Sequence, residues 1–495
     1  MTTDSVFSIG LDLGTSGVKA VLLSATGRLE AEATAALEVS RPQPLWSEQA
    51  PADWLAATDR ALRELREHAG PAHWQQVRAL AIAGQMHGAV LLDAQGEVLR
   101  PAILWNDGRS QAQCAELEAR EPATRRITAN RAMAGFTAPK LMWVAQHEPE
   151  VFARVATVLL PKDWLVWQLA GVLSSDCSDA AGTLWLDVAG RRWSDAMLAA
   201  SGMRIDQMPA LHEGPDAVGR LAARWCAAWG LGRGLGDSVQ LAAGAGDNAA
   251  GAVGVGVVKQ GDAFLSLGTS GVIFVATDGA RANPERGVHT FCHALPDTWH
   301  QMAVMLSASS ALSWWCGITG LAPAGLLAGL TRGAVRATAP LFLPYLSGER
   351  TPHADPACSA SFHGLTHAHG RDDLSYAVLE GVAFAFADGL AALRQAGSEP
   401  QRLLAIGGGA RSDVWLQLLA DTLGVRIDRP LGAEVGPALG AARLALLSLG
   451  LARDAVVSAP PLAQSFAPDA ARTAVLQSRL ARYRAANAPL RALSA

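Results

Sequence analysis

An eight-residue stretch occurs twice in this chain. Residues 11–18 read LDLGTSGV and residues 265–272 read LSLGTSGV, identical at seven of eight positions across a gap of 254 residues. Apolar residues flank both copies: FSIG before the first and KAVLL after it, DAF before the second and IFVAT after it. Each copy therefore predicts a strand, a tight Gly-Thr-Ser-Gly turn and a second strand. A whole hairpin repeated at that distance predicts two related halves. The boundary is expected near residues 245–260, with domains over 1–247 and 248–495. At 495 residues the chain is long enough to bury two such cores.

Outside the repeats, strand and helix patterns alternate, which predicts an α/β architecture. VRALAIAGQ (77–85) and LLAIGGG (403–409) read as short buried strands. Residues 53–66 carry Trp54, Leu55, Leu62 and Leu65 at helical spacing, with Pro51 and Asp53 in first-turn positions. SDVWLQLLADTLG (412–424) predicts a helix capped by Ser412 and ended by Gly424, with Trp415, Leu418, Leu419 and Leu423 on one face. The Ala-Pro-Pro stretch at 459–461 reads as a loop ahead of a C-terminal helix.

Several function classes lack support. The net charge is -4 and no basic stripe appears, so no nucleic acid partner is expected. Six scattered cysteines with no C-x-x-C pair argue against a disulfide framework or a cysteine zinc site. Met1–Ile9 has no basic region followed by an apolar one, and no run approaches the roughly 18 apolar residues of a membrane helix. A cytoplasmic enzyme without a membrane partner is the expectation.

The two turns carry chemistry. Glycine lets backbone amides approach an oxyanion, and the hydroxyls of Thr15, Ser16, Thr269 and Ser270 add donors beside Gly14 and Gly268. The repeat is imperfect where it matters: position 12 is Asp and its counterpart, position 266, is Ser. A carboxylate beside a phosphate-binding turn needs a cation between them, which points to Mg²⁺ at Asp12. The alternative is that Asp12 only accepts turn amides. Lys19, just past the turn, adds positive charge or solvates a strand edge.

No G-x-x-x-x-G-K-[ST] run exists, so a P-loop is excluded. GAGDNA (244–249) fits the loose dinucleotide pattern G-x-G-x-x-A, but Asp247 would repel the pyrophosphate that the turn should receive. Asp247 suits a base better: at a strand-to-helix junction it can take a proton from a hydroxyl, with Asn248 orienting a polyol. Its structural alternative is a helix cap. GQMHG (84–88) ends a strand and offers Gln85, Met86 and His87. WNDGR (105–109) places Trp105 and Asn106 in a loop, where the tryptophan can face a sugar or serve the core. GGGARS (407–412) lets a base or phosphate approach Gly408, Gly409, Ala410 and Arg411. His363, His367 and His369 resemble metal spacing, but Gly364 and Gly370 break any helix that would present them together.

These residues together resemble the FGGY carbohydrate kinases. GFTAPKLMWVAQH (135–147) fits one family signature, with Lys140 and Trp143 in place; ASFHGLTHAHGRDDLSYAVLE (360–380) fits the other, with Gly364, Asp373 and Glu380. Within the family the wording is similar to the subgroup acting on the ketopentose D-xylulose: SRPQPLWSEQ (40–49), IAGQMHGAVLLD (82–93), RPAILWNDGR (100–109), DAAGTLWLD (179–187) and LPYLSGERTPH (343–353).

The resemblance implies two ribonuclease-H-like domains of the actin and hexokinase superfamily around a catalytic cleft. The sugar then binds the N-terminal half through Gln85, Met86, His87, Trp105, Asn106, Asp247 and Asn248. ATP binds mainly the C-terminal half, with adenosine near Gly408–Arg411 and phosphates between the two turns and Lys19. It further implies Asp247 as general base and Mg²⁺ held through water at Asp12. The rivals are a kinase for ribulose, gluconate or a deoxyketose, a chaperone-like ATPase, and an NAD-dependent dehydrogenase resting on GAGDNA alone. A second copy of the chain, as a homodimer, is the protein partner considered.

Overall fold

The computed structural model describes residues 6–232, 238–431 and 436–492; Met1–Ser5, within the stretch inspected for a secretory signal, lie outside them. Both copies of the repeat form antiparallel hairpins. In the first, β1 (Phe7–Leu13) pairs with β2 (Gly17–Ser24). They join β3 (Leu29–Ala36), β4 (Val77–Gly84), β5 (Ala217–Arg220) and β6 (Gln240–Ala242) in the order β3-β2-β1-β4-β6-β5. The short β7 (Ala245–Gly246) also pairs with β4.

The second sheet repeats this plan. Its hairpin is β8 (Ala263–Leu267) and β9 (Gly271–Thr277), followed by β10 (His289–Cys292), β11 (Trp299–Met305), β12 (Arg402–Ile406), β13 (Arg426–Pro430) and β14 (Leu462–Phe466). The order is β10-β11-β9-β8-β12-β13-β14. In each sheet the first hairpin strand lies parallel to a later strand, β1 to β4 and β8 to β12. The next neighbour is again parallel, and the outermost antiparallel. The repeated octapeptide thus marks a repeated topology. β1 is buried along almost its whole length, as a central strand covered on both faces must be, whereas the peripheral β3 is largely open to solvent.

Local signals act as expected. Ser412 accepts a hydrogen bond from the Trp415 amide at 3.2 Å, and Gly424 ends the Asp413–Leu423 helix in the left-handed region. The helix expected over 53–66 runs further, Pro51–Trp74, kinked at Gly70 where the backbone leaves helical geometry ahead of Pro71. After the Ala-Pro-Pro loop the structure adds β14 before the C-terminal helix Ala470–Ala492. Helix Arg371–Gln395 is long and apolar enough by composition to cross a membrane, but 94% of its most apolar window is buried inside the fold.

Two features join the halves. The helix Gly436–Ser448, late in the chain, packs on the first sheet and on the helix Asp247–Gly254. There Ser8 donates to the Ala442 carbonyl at 2.8 Å, and Arg443 donates to the Val253 carbonyl at 2.9 Å. Phe264, Phe274 and Phe291 of the second half share one apolar cluster with Met86 and Trp185 of the first.

Candidate active site

Three parallel strands end side by side in the first sheet. The register pairs Asp12 with Ala83 and Leu13 with Gly84, while Ala245 and Gly246 oppose the same two residues from the other side of β4. One step beyond these ends lie the first Gly-Thr-Ser-Gly turn, Gln85-Met86-His87 and Asp247. Ligands in open α/β sheets gather outside the carboxyl ends of such strands. The sheet therefore brings Asp12, Met86, His87 and Asp247 to one edge from segments more than 70 and 150 residues apart in sequence.

Asp247 is the first residue of its helix, after the Gly246 cap. Its Oδ1 accepts from the Asn248 amide at 2.7 Å and from Asn248 Nδ2 at 2.9 Å. Among the described residues no donor reaches Oδ2. Burial lifts its pKa to about 6, against the two Asn248 bonds that lower it. Asp12 is pushed to about 7 by burial and then by the charge of Asp247, with Lys19 opposing. No donor among the described residues reaches the Asp12 carboxylate, so the alternative that it merely accepts turn amides is not what the structure has. Lys19 is shared with Glu32, 3.0 Å away.

Asp247 lies near enough for its charge to raise the Asp12 pKa, and the one cation that opposes this, Lys19, is paired with Glu32, a charge imbalance that a divalent ion would relieve. Among the described residues no group of three or more His, Cys, Asp or Glu side chains converges as a metal cage. The donor set therefore fits Mg²⁺, which takes one or two carboxylates and completes its shell with water and phosphate oxygens.

Met86 and His87 are packed against two glycines. A Cβ on Gly182 would stand 2.5 Å from His87 Nδ1, and one on Gly246 would stand 3.0 Å from Met86 Cγ. His87 has φ 72°, a left-handed backbone uncommon outside glycine. Its Nδ1 lies 2.6 Å from the Gly182 carbonyl. Burial pulls its pKa to about 3, so the ring is neutral. A neutral ring with Nδ1 against a carbonyl carries its proton there, which leaves Nε2 as an acceptor for a hydroxyl.

Other expected residues take different places. Gln85 is buried: its Oε1 accepts from Thr15 Oγ1 at 2.9 Å and its Nε2 donates to Gln49 Oε1 at 3.2 Å. It braces the turn from below. Thr15 Oγ1 also accepts from Trp105 Nε1 at 2.9 Å, tying the exposed tryptophan to the same turn. Asn106 is exposed beside it. Trp105 and Asn106, with Arg131, Gly135, Glu349 and Arg350, line a cavity of about 420 Å³ built from both halves.

In the second half, Gly268, Thr269 and Ser270 follow β8, and Gly408, Gly409, Ala410 and Arg411 follow the adjacent parallel β12. Thr269 and Ser270 are exposed. Among the described residues the amides of Thr15, Ser16, Thr269 and Ser270 have no acceptor, which suits each turn to an anion. No hydrogen bond among those residues joins this second group to the first.

A buried charge cluster escaped the sequence reading. Lys162 Nζ lies 2.6 Å from Asp163, 2.9 Å from Asp176 and 3.9 Å from Asp179, all fully buried. Lys162 packs under the end of β4, where a Cβ on Gly84 would meet its own Cβ at 2.7 Å. Burial raises the Asp179 carboxyl well above its ordinary range; Lys162 opposes this, while Asp163, Asp176 and Asp247 add to it. The visible signal was a Lys-Asp pair inside the apolar run LLPKDWLVWQL.

The chain is similar to known proteins over nearly its whole length. The model of the N-terminal domain of the FGGY family of carbohydrate kinases matches residues 7–254, and that of the C-terminal domain matches residues 263–449. A xylulose kinase of Escherichia coli (strain K12) is 54% identical over 480 residues, covering 96% of this chain and 97% of its own. One from Klebsiella pneumoniae is 51% identical, covering 94% and 95%. The crystal structure of a xyloylose kinase from Brucella ovis superposes with a TM-score of 0.95 at 49% identity, covering 98% of this chain and all of its own.

Proposed function

The chain belongs to the FGGY family of carbohydrate kinases, and from that premise we propose that it transfers the γ-phosphoryl group of ATP to the 5-hydroxyl of D-xylulose. The observation that carries this reading is Asp247: one carboxylate oxygen held by Asn248, the other open, at the strand ends beside Met86 and His87. Relatives at 54% and 51% identity that bear the name xylulose kinase support the choice of sugar.

The residues divide the work as follows. Asp247 accepts the proton of the 5-hydroxyl as that oxygen attacks the γ-phosphorus, and Asn248 keeps the carboxylate aimed. His87 Nε2 accepts a ketose hydroxyl, Met86 packs against the carbon chain, and Trp105 and Asn106 close the sugar's open side. Gln85 acts through Thr15 rather than on the sugar. The amides of Thr15, Ser16, Thr269 and Ser270, in turns that Gly14 and Gly268 open, hold the phosphates with Lys19; Gly408, Gly409, Ala410 and Arg411 receive the adenosine. Mg²⁺ bound near Asp12 would supply charge neutralisation on the phosphates. The sugar is thus assigned to residues 1–247 and the nucleotide mainly to 248–495. The reaction belongs in the cytoplasm, where ATP is made available.

Position-specific product analysis tests the chemistry. With D-xylulose and Mg·ATP, phosphorus–proton correlation in the NMR spectrum should place the new ester on carbon 5. An ester at carbon 1, or none, would reject the proposed orientation at Asp247.

A further inference from the structure

One helix turn grips the sugar-facing loop from three directions. The helix Thr137–His147 starts directly after Gly135 and Phe136. Its Lys140 is fully buried, and Nζ donates to the His87 carbonyl at 2.8 Å. Thr137 Oγ1 donates to the same carbonyl at 3.1 Å. The Phe136 ring lies 4.7 Å from the His87 ring, centroid to centroid. Gly135 packs so closely on the Trp105 carbonyl that a Cβ there would stand 2.4 Å from it.

An ammonium is a costly way to satisfy one carbonyl. Withdrawing it from water costs several kcal/mol, and a lysine so placed normally sits against a carboxylate. Here no carboxylate oxygen lies within ion-pair distance among the described residues; Asp107 acts on it only from further away. Its hydrogen-bond acceptor is the carbonyl of the one residue in the strand-end loop that has a left-handed backbone. Burial pulls the Lys140 pKa to about 7, yet the neutral amine donates as the ammonium does, so the bond persists in either state.

We propose that Lys140, assisted by Thr137, is a positioning residue for the ketose: by holding the His87 carbonyl it keeps His87 in its left-handed conformation, with Nε2 presented to the sugar. The inference rests on the reading that His87 contacts the acceptor.

The test is a double-mutant cycle on the full chain with D-xylulose as the varied substrate. Lys140→Met keeps length and apolar packing and removes the donor. Its KM for D-xylulose should rise about 10- to 100-fold, the range for losing a hydrogen bond to a charged donor. The KM for ATP should stay within about 2-fold, because nothing in the nucleotide group touches this turn. In a His87→Ala background the same substitution should change the D-xylulose KM by less than about 3-fold, since the two act as a unit. Equal effects in both backgrounds, or a fall in kcat with both KM values unchanged, would overturn the proposal. If Lys140→Met does not fold, Thr137→Val is read the same way, with a rise of a few-fold absorbed by His87→Ala. Should wild type ignore D-xylulose, that failure falls on the substrate reading, and the cycle is run on ribulose or whichever other ketose the enzyme phosphorylates.

Discussion

Asp247 is suited to its proposed chemistry by the burial that makes it costly to the fold. A carboxyl raised from its ordinary 3.8 to about 6 favours the protonated form in the native state. Ionising it therefore subtracts stability as pH rises from about 4 to 6, and the deficit persists above that, of order 1–3 kcal/mol. Asp247→Asn should accordingly melt a few degrees higher than wild type at pH 8 and at the same temperature near pH 4; equal melting at both values would contradict the strained-carboxylate account. The base works only as carboxylate, so kcat/KM for the sugar should fall with decreasing pH below about 6. Asn248→Ala removes one of the bonds that lower this pKa, and should move the acid limb upward by roughly half a unit. A limb that stays in place, or moves down, would deny Asn248 that role. The strand-to-helix junction at Asp247 was legible in the sequence, because an apolar run breaks there at a glycine-rich turn. Lys162 and Lys140 were not read as buried, since nothing in local pattern says that a lysine has lost its water.

At the scale of elements, the two hairpins could be read directly, because apolar strands around a Gly-Thr-Ser-Gly turn admit little else. The Asp413–Leu423 helix was equally plain, its cap and stop residues being local. What no local pattern carries is how the helix Gly436–Ser448 seats against the helix that starts at Asp247. A Cβ on Gly440 would stand 1.7 Å from the Ala250 carbonyl oxygen, and one on Gly254 would stand 2.1 Å from that of Gly436. The helix bearing Asp247 is thus set by backbone contact across nearly 190 residues. Gly440→Ala should cost at least about 2–3 kcal/mol and lower activity with it, since the backbone must separate. Gly317, within the Ser309–Thr319 helix, has open space around it, and Gly317→Ala should be neutral or stabilise by up to about 1 kcal/mol. Chemical denaturation of the two variants side by side checks this; similar outcomes would dismiss the close contact.

For the whole molecule, the repeated octapeptide announced a duplicated architecture, and the two sheets share the order of six strands, the second adding β10 at one edge and the first adding β7 beside β4. The expected division into an N-terminal sugar part and a C-terminal nucleotide part follows chain order. In space the late helix crosses onto the first sheet, and the phenylalanines of β8, β9 and β10 share a core with Met86. The two turns therefore sit on halves joined through a shared core and a crossing helix. Such a joint suits closure around two substrates, which keeps water from acting as acceptor. Fold analogy alone would leave a chaperone-like ATPase or another sugar kinase open; the match to both domains of the FGGY family and the likeness to xylulose kinases over nearly the whole chain are what narrow it. The most direct measurement is ADP release with Mg·ATP across D-xylulose, ribulose, gluconate and glycerol, for wild type beside Asp247→Ala. The account predicts stimulation by D-xylulose well above the other three, and a loss of about three or more orders of magnitude in the folded variant. Turnover that ignores D-xylulose, or that survives in Asp247→Ala, would contradict it.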